Sequence, residues 1–273
     1  MTVIKRMFSI LLPYLLLLLV VFLLQRSLIY FPGKHSPIRQ QELADQLDLK
    51  LWPTTDSYLG LMSKSPVSNY KGTVIVFHGN AGSAIDRSYY FDALEKLDYR
   101  VIVAEYPGYG AREGGPSESV LLANGLETVK KALDDFGGPI FLWGESLGSG
   151  VAGAIVKSGQ VPIKGVVLMT PFDSLANVAQ HHYWFFLAKW LIRDKFNTVN
   201  NLHDYLGNTA VLIAEEDQII PTKNSLKLFN SLLHSKQLWT FNNAGHNSLP
   251  LSPNLPWWQE VTQFVSGEKE VSR

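Results

Sequence analysis

The longest apolar stretch comes first: Phe8 to Leu24 runs 17 residues without a charge, with Lys5 and Arg6 before it and Gln25 and Arg26 after it. As a helix it would extend about 26 Å at ~1.5 Å per residue, close to the ~30 Å hydrocarbon core of a bilayer. Ile29, Tyr30 and Phe31 follow, with the amphipathic character suited to the headgroup level. The pattern predicts a retained single-pass anchor over residues 1–31 that contributes nothing to a site further on. A secretory signal would have a shorter apolar core and an A-x-A-like cleavage site, which this segment lacks. Lys5, Arg6 and the amino terminus are nearly balanced by Arg26, Lys34 and Arg39. We take the N-terminus as cytoplasmic and the remainder as non-cytoplasmic.

Residues 32–69 are mixed, with room for a linker and one antiparallel edge hairpin. Beyond them short β-branched runs recur at 73–78, 100–105, 139–144, 165–170, 209–214 and 237–241. Most are continuously apolar, as strands buried on both faces are. Helix-length segments lie between them, at 88–97, 117–136, 146–158 and 223–234. Ser117 after Pro116 is placed to cap one of these helices, and Gly137-Gly138 to stop it. This alternation predicts an α/β fold, a mostly parallel sheet covered by helices on both faces, over residues 70–268. An insertion at about 174–207 carries HHYWFFLAKWLI. There Trp184, Leu187 and Leu191, or Phe185, Ala188 and Ile192, would share one helix face, and such a stripe ordinarily faces a core.

Composition narrows the partners. With 24 Lys plus Arg against 24 Asp plus Glu, no overall field draws the chain to nucleic acid. Hydrophobic residues at 46% and aromatics at 12% can fill a core. The absence of Cys excludes disulfides, a thiol nucleophile and thiolate zinc sites.

Candidate chemistry begins at FLWGESLGSG, where Gly144, Ser146 and Gly148 form Gly-x-Ser-x-Gly between a predicted strand and a predicted helix. A sharp strand-to-helix turn projects the serine hydroxyl outward, and small neighbours let the backbone close up around it. A hydroxyl needs a base to take its proton, and the base needs an orienting carboxylate. His246, in NNAGHNS just past the last predicted strand, is the histidine so placed. His78 ends an early strand and is read as shaping a turn; His181 and His182 are adjacent, without an HExxH pattern; His203 and His234 are read as surface or helix-end residues. The acid is expected after the strand between serine and histidine. AVLIAEEDQIIP offers Glu215, Glu216 and Asp217, of which we choose Asp217, with Asp173 in TPFDS as the rival. Charge developing on a carbonyl oxygen would be met by the backbone N–H groups of Leu147 and Asn80. GYGAREG lacks the spacing of a phosphate-binding loop, so no cofactor is expected, and no metal.

The blocks HGNAGS, EYPGYG, GESLGSG, TPFDSL, EEDQIIP and AGHN resemble, in order, those of the α/β-hydrolase superfamily over roughly residues 70–265. With its N-terminal anchor and short insertion the chain is most similar to membrane-tethered α/β-hydrolase-domain proteins, relatives of monoacylglycerol lipases and protein depalmitoylases. The resemblance implies hydrolysis of carboxylic esters or thioesters of acyl or lipid-like substrates. It puts the family's nucleophile on Ser146, its acid on Asp217 and its histidine on His246, and makes the insertion a cap over an apolar acyl pocket near the bilayer. Two positions depart from the usual pattern: Ala214 replaces a glycine, and Glu105 stands where Asp is common. A serine peptidase and a non-catalytic membrane-tethered binding module are the alternatives; the complete residue set favours an enzyme.

Overall fold

The computed structural model describes residues 2–65 and 69–268. Eight strands form one sheet: β1 (Leu49–Trp52), β2 (Gly60–Ser63), β3 (Gly72–Phe77), β4 (Tyr99–Ala104), β5 (Ile140–Glu145), β6 (Gly165–Met169), β7 (Asn208–Ala214) and β8 (Lys236–Phe241). Their order is β1-β2-β4-β3-β5-β6-β7-β8. β1 and β2 form an antiparallel pair and β2 lies antiparallel to β4; every other pairing is parallel. The strand-helix alternation therefore builds the sheet its periodicity predicts.

Because side chains alternate across a strand, each apolar run feeds two cores. Ile75, Phe77, Ile102, Leu142 and Leu168 face one side, with residues of α4 (Glu118–Phe136) and α5 (Leu147–Ser158). Val74, Val76, Val101, Trp143 and Val167 face the other, with residues of α3 (Tyr89–Leu94) and α10 (Pro256–Ser266). There the Trp143 ring lies 5.2 Å from that of Trp258 and 5.6 Å from that of Tyr90. Burial on both faces is what continuously apolar strands require. Ser117 caps α4 by accepting from Val120 N–H at 3.3 Å, and Gly137, at φ +72°, ends it. The segment expected as one helix at 88–97 divides into α3 and a 3₁₀ turn, Glu95–Leu97, which stops at left-handed Asp98.

The N-terminal helix α1 (Thr2–Ile29) contains a segment, Met7–Ile29, long and apolar enough to cross a membrane by length and composition. Its C-terminal end packs against the rest of the chain. Tyr30 is 4% exposed, and its hydroxyl donates to Asp194 Oδ2 at 3.0 Å. Burial, and then the neighbouring Asp194 charge, push the phenol well above its ordinary pKa, so it remains a donor. Arg26 pairs with the same carboxylate at 3.2 Å. Phe31–Pro32 forms a short parallel pairing with Ala81–Gly82, and α2 (Pro37–Gln46) follows it. No local pattern could place Asp194, 164 residues further on, against Tyr30.

The insertion also departs from expectation. It holds α6 (Leu175–His182), a 3₁₀ turn at Trp184–Phe186, α7 (Ala188–Leu191) and α8 (Thr198–Leu202). Leu187 sits at φ +54° and breaks the anticipated helix, so the two stripes never form. With the sheet faces already covered, Trp184 and Trp190 remain 69% and 78% exposed.

Candidate active site

The parallel strands deliver the candidate residues to one edge of the sheet. Asn80 follows β3, Ser146 follows β5, Asp217 follows β7 and His246 follows β8. β3 and β5 are neighbours from which the chain winds in opposite directions, the crevice where α/β sheets place their ligands. Ser146 has φ +51° and ψ −113°, a strained conformation for a residue with a side chain. The turn is possible because of its glycines. A Cβ on Gly148 would lie 1.8 Å from Phe77 O, and one on Gly144 2.5 Å from Ser149 Cα. A larger residue at either position would push the helix off the sheet.

Ser146, His246 and Asp217 meet. Ser146 Oγ lies 2.9 Å from His246 Nε2, and His246 Nδ1 lies 2.7 Å from Asp217 Oδ2. The imidazole and carboxylate side chains are 9% and 3% exposed. Asp217 Oδ1 also accepts from the backbone N–H groups of Ile219 and Ile220 at 2.9 and 2.7 Å, which fixes the carboxylate within its turn. Glu215 and Glu216 are exposed.

Asp173 takes no part in this contact. It accepts from Ser174 N, Asn177 Nδ2, Asn224 Nδ2 and Lys227 Nζ at 2.6–2.8 Å. Burial pushes its pKa up, but the hydrogen bonds from Lys227, Asn224, Asn177 and Ser174 outweigh it and hold the carboxyl below its ordinary range. It ties the base of the insertion to α9 (Thr222–Ser231).

Leu147 opens α5 and is 3% exposed. Asn80 lies in a loop gripped by the N-terminal segment: its Nδ2 donates to Ile29 O at 2.8 Å, and its carbonyl accepts from Phe31 N at 2.9 Å and from the Tyr109 hydroxyl at 2.7 Å. These bonds bring residues 29 and 31 of the N-terminal segment against Asn80, a contact that the reading of residues 1–31 as a separate anchor did not include. His78 is fully buried, with Nδ1 2.8 Å from Gly79 O and its ring 4.2 Å from that of Tyr106. The Glu105 carboxylate accepts from Ala84 N–H at 3.2 Å.

Sequence reasoning missed a polar wall. Arg87 Nε donates to Glu145 at 3.1 Å and the Tyr89 hydroxyl donates to it at 3.0 Å. Burial disfavours the Arg87 charge, and the adjacent carboxylate more than offsets this. With Thr170, His246 and Leu249 these residues line a cavity of about 180 Å³. Glu145 lies inside the serine motif, but nothing in the sequence joins it to Arg87, 58 positions earlier. Among the described residues no cluster of three or more His, Asp or Glu is arranged to hold a metal ion.

Such a strand-to-helix serine on such a sheet defines an α/β-hydrolase fold, and a family model for that fold matches residues 72–202. The chain has the α/β-hydrolase fold and is similar to members of that superfamily. It is 29% identical to an uncharacterized protein of Mycobacterium tuberculosis over 89% of this chain and 87% of that one. It is also 29% identical to the lysophosphatidylserine lipase ABHD12 of Danio rerio, over 60% of this chain. The matched region spans about half of that lipase, 48% of its length. Among solved structures, a Pyrococcus furiosus esterase superposes with TM-score 0.63 at 17% identity, covering 88% of this chain and 98% of its own. A Paleococcus ferrophilus monoacylglycerol lipase superposes with TM-score 0.57 at 16% identity, covering 76% and 99%. At these identities the superpositions speak for the fold alone.

Proposed function

We propose that this chain is a serine hydrolase that cleaves the carboxylic ester or thioester bond of acyl or lipid-like substrates through an acyl-enzyme. The observation that carries the reading is the hydrogen-bonded run from Ser146 Oγ through His246 to Asp217. Ser146 Oγ attacks the carbonyl carbon while its proton passes to His246 Nε2, and Asp217 orients the ring and stabilises the imidazolium. The carbonyl oxygen takes the negative charge toward the N–H groups of Leu147 and Asn80. The bond to the leaving alcohol or thiol then breaks as His246 returns the proton to it. Water, deprotonated by the same nitrogen, attacks the acyl-serine and releases the acid. The similarity to lysophosphatidylserine lipases supports a lipid ester as substrate.

In this reading residues 1–31 tether the protein as a single-pass span, and 32–69 lead into a hydrolase domain at 70–268 capped by 174–207. That domain lies on the non-cytoplasmic side. A fluorophosphonate probe should label the wild-type protein at Ser146, and a panel of acyl esters should be turned over. Ser146→Ala should abolish the labelling and lower kcat by about six orders of magnitude. A purified variant that keeps more than a few per cent of the turnover would remove Ser146 from the role.

A further inference from the structure

Helix α1 and the cap do not close fully on each other. Between them lies a cavity of about 300 Å³, walled by Val21, Phe22 and Leu28 on one side and by Ala179, Phe186 and Ile192 on the other. Of the two polar side chains in the wall, Tyr183 is 58% exposed on the cap and Gln25 is spent. Its amide donates to Phe22 O and Leu191 O at 2.8 and 3.3 Å and accepts from Arg193 N–H at 2.6 Å. The cavity therefore presents hydrocarbon, a lining that disfavours water and suits an apolar guest.

Its position says where such a guest comes from. Val21 to Ile29 belong to the segment long enough to span a bilayer. The Tyr14 hydroxyl donates to Phe185 O at 2.6 Å, so the cap runs beside α1 for about 20 Å from Ile29, at ~1.5 Å per residue. Tyr183, Trp184 and Trp190, amphipathic side chains of the kind that settle at a membrane interface, lie exposed on this cap. The opposite end of the cavity is bounded by Ile29 and Phe31, whose backbones bond Asn80. One residue earlier, a Cβ on Gly79 would lie 3.6 Å from Ser146 Cβ.

We infer that this slot receives the acyl chain of a bilayer lipid, admitted sideways between α1 and the cap so that its ester reaches Ser146. The inference rests on the proposed hydrolase chemistry for its functional meaning. A protein helix, ~10 Å across, does not fit such a volume. A single chain does, at the lower end of the ~300–1,000 Å³ of small-molecule sites.

Binding can be read without turnover. The Ser146→Ala protein in phosphatidylcholine nanodiscs is illuminated with hexadecanoic acid carrying a terminal diazirine, and adducts are mapped by mass spectrometry. Adducts are expected on Phe22, Leu28, Phe186 and Ile192, at least fivefold fewer after Ala188→Trp, which fills the slot from α7. Ala179→Trp fills it from α6 and guards against one variant misfolding. Adducts concentrated on the outer face of α1, at Leu16, Leu19 and Leu23, or a yield indifferent to both tryptophans, would overturn the slot. In the Ser146-intact protein the ratio of hexadecanoyl-ester to butyryl-ester turnover should fall at least tenfold with either tryptophan. An unchanged ratio would dismiss the slot as a substrate site even if fluorophosphonate labels Ser146.

Discussion

The strand-end site and the seam between α1 and the cap are held together differently. Ser146, Asp217 and His246 each follow directly from a strand of one sheet, and β5, β6, β7 and β8 are joined by continuous parallel ladders. The seam has no ladder. It is closed by single contacts: Arg26 and Tyr30 on Asp194, Gln25 on the backbone near 191–193, and Tyr14 on Phe185. Arg26 is 42% exposed in its pair, but Asp194 is 5% exposed and also accepts from buried Tyr30, so the seam is held firmly at Asp194 and elsewhere by isolated hydrogen bonds of ~0.5–1.5 kcal/mol each. Rigid scaffold thus surrounds the reacting atoms, while the entry for a lipid chain is bounded by contacts weak enough to part. Tight geometry is needed where a proton moves, and compliance where a chain passes.

The sharpest way to break this contrast is to neutralise the two aspartates one at a time. Asp217→Asn should leave the His246 ring misoriented and cut kcat by about 10⁴, whereas Asp173→Asn, at the base of the cap, should cost far less. Steady-state kinetics on a water-soluble ester decides, and equal or reversed losses would move the acid to Asp173.

Deleting residues 1–31 tests whether the seam reaches the site. The sequence alone predicts a kcat on a water-soluble ester within about threefold of the full-length value. The bonds from Ile29 and Phe31 to Asn80 predict a roughly tenfold fall in kcat, a barrier change of about 1.4 kcal/mol. A loss under threefold would make α1 a tether only.

An effect of similar size is expected on stability. Asp173, held below its ordinary pKa, stabilises the fold at pH values above the unfolded carboxylate pKa of ~3.9, and this contribution is lost as pH falls through the lower folded value. Thermal melts should show Asp173→Asn less stable by about 1–3 kcal/mol at pH 7, with the gap shrinking below about pH 4. A gap that persists undiminished at pH 3 would deny the carboxylate this role.

What the sequence determined by itself is whatever local periodicity and motif chemistry encode. Continuously apolar runs fix a covered parallel sheet. Gly144-Glu145-Ser146-Leu147-Gly148 encodes its own turn, because the clash a side chain would meet at Gly148 depends on a packing that every such turn repeats. The order of Ser146, Asp217 and His246 follows from the order of the strands. Only the tertiary structure decides that Asp217 meets the histidine while Asp173 is engaged by Asn224 and Lys227, that Arg87 reaches Glu145, and that Ile29 and Phe31 grip Asn80. Those contacts join segments tens of residues apart through single side chains. They leave no period to read, and so the aromatic cap, patterned like a core helix, was placed instead against α1 by one buried carboxylate, Asp194.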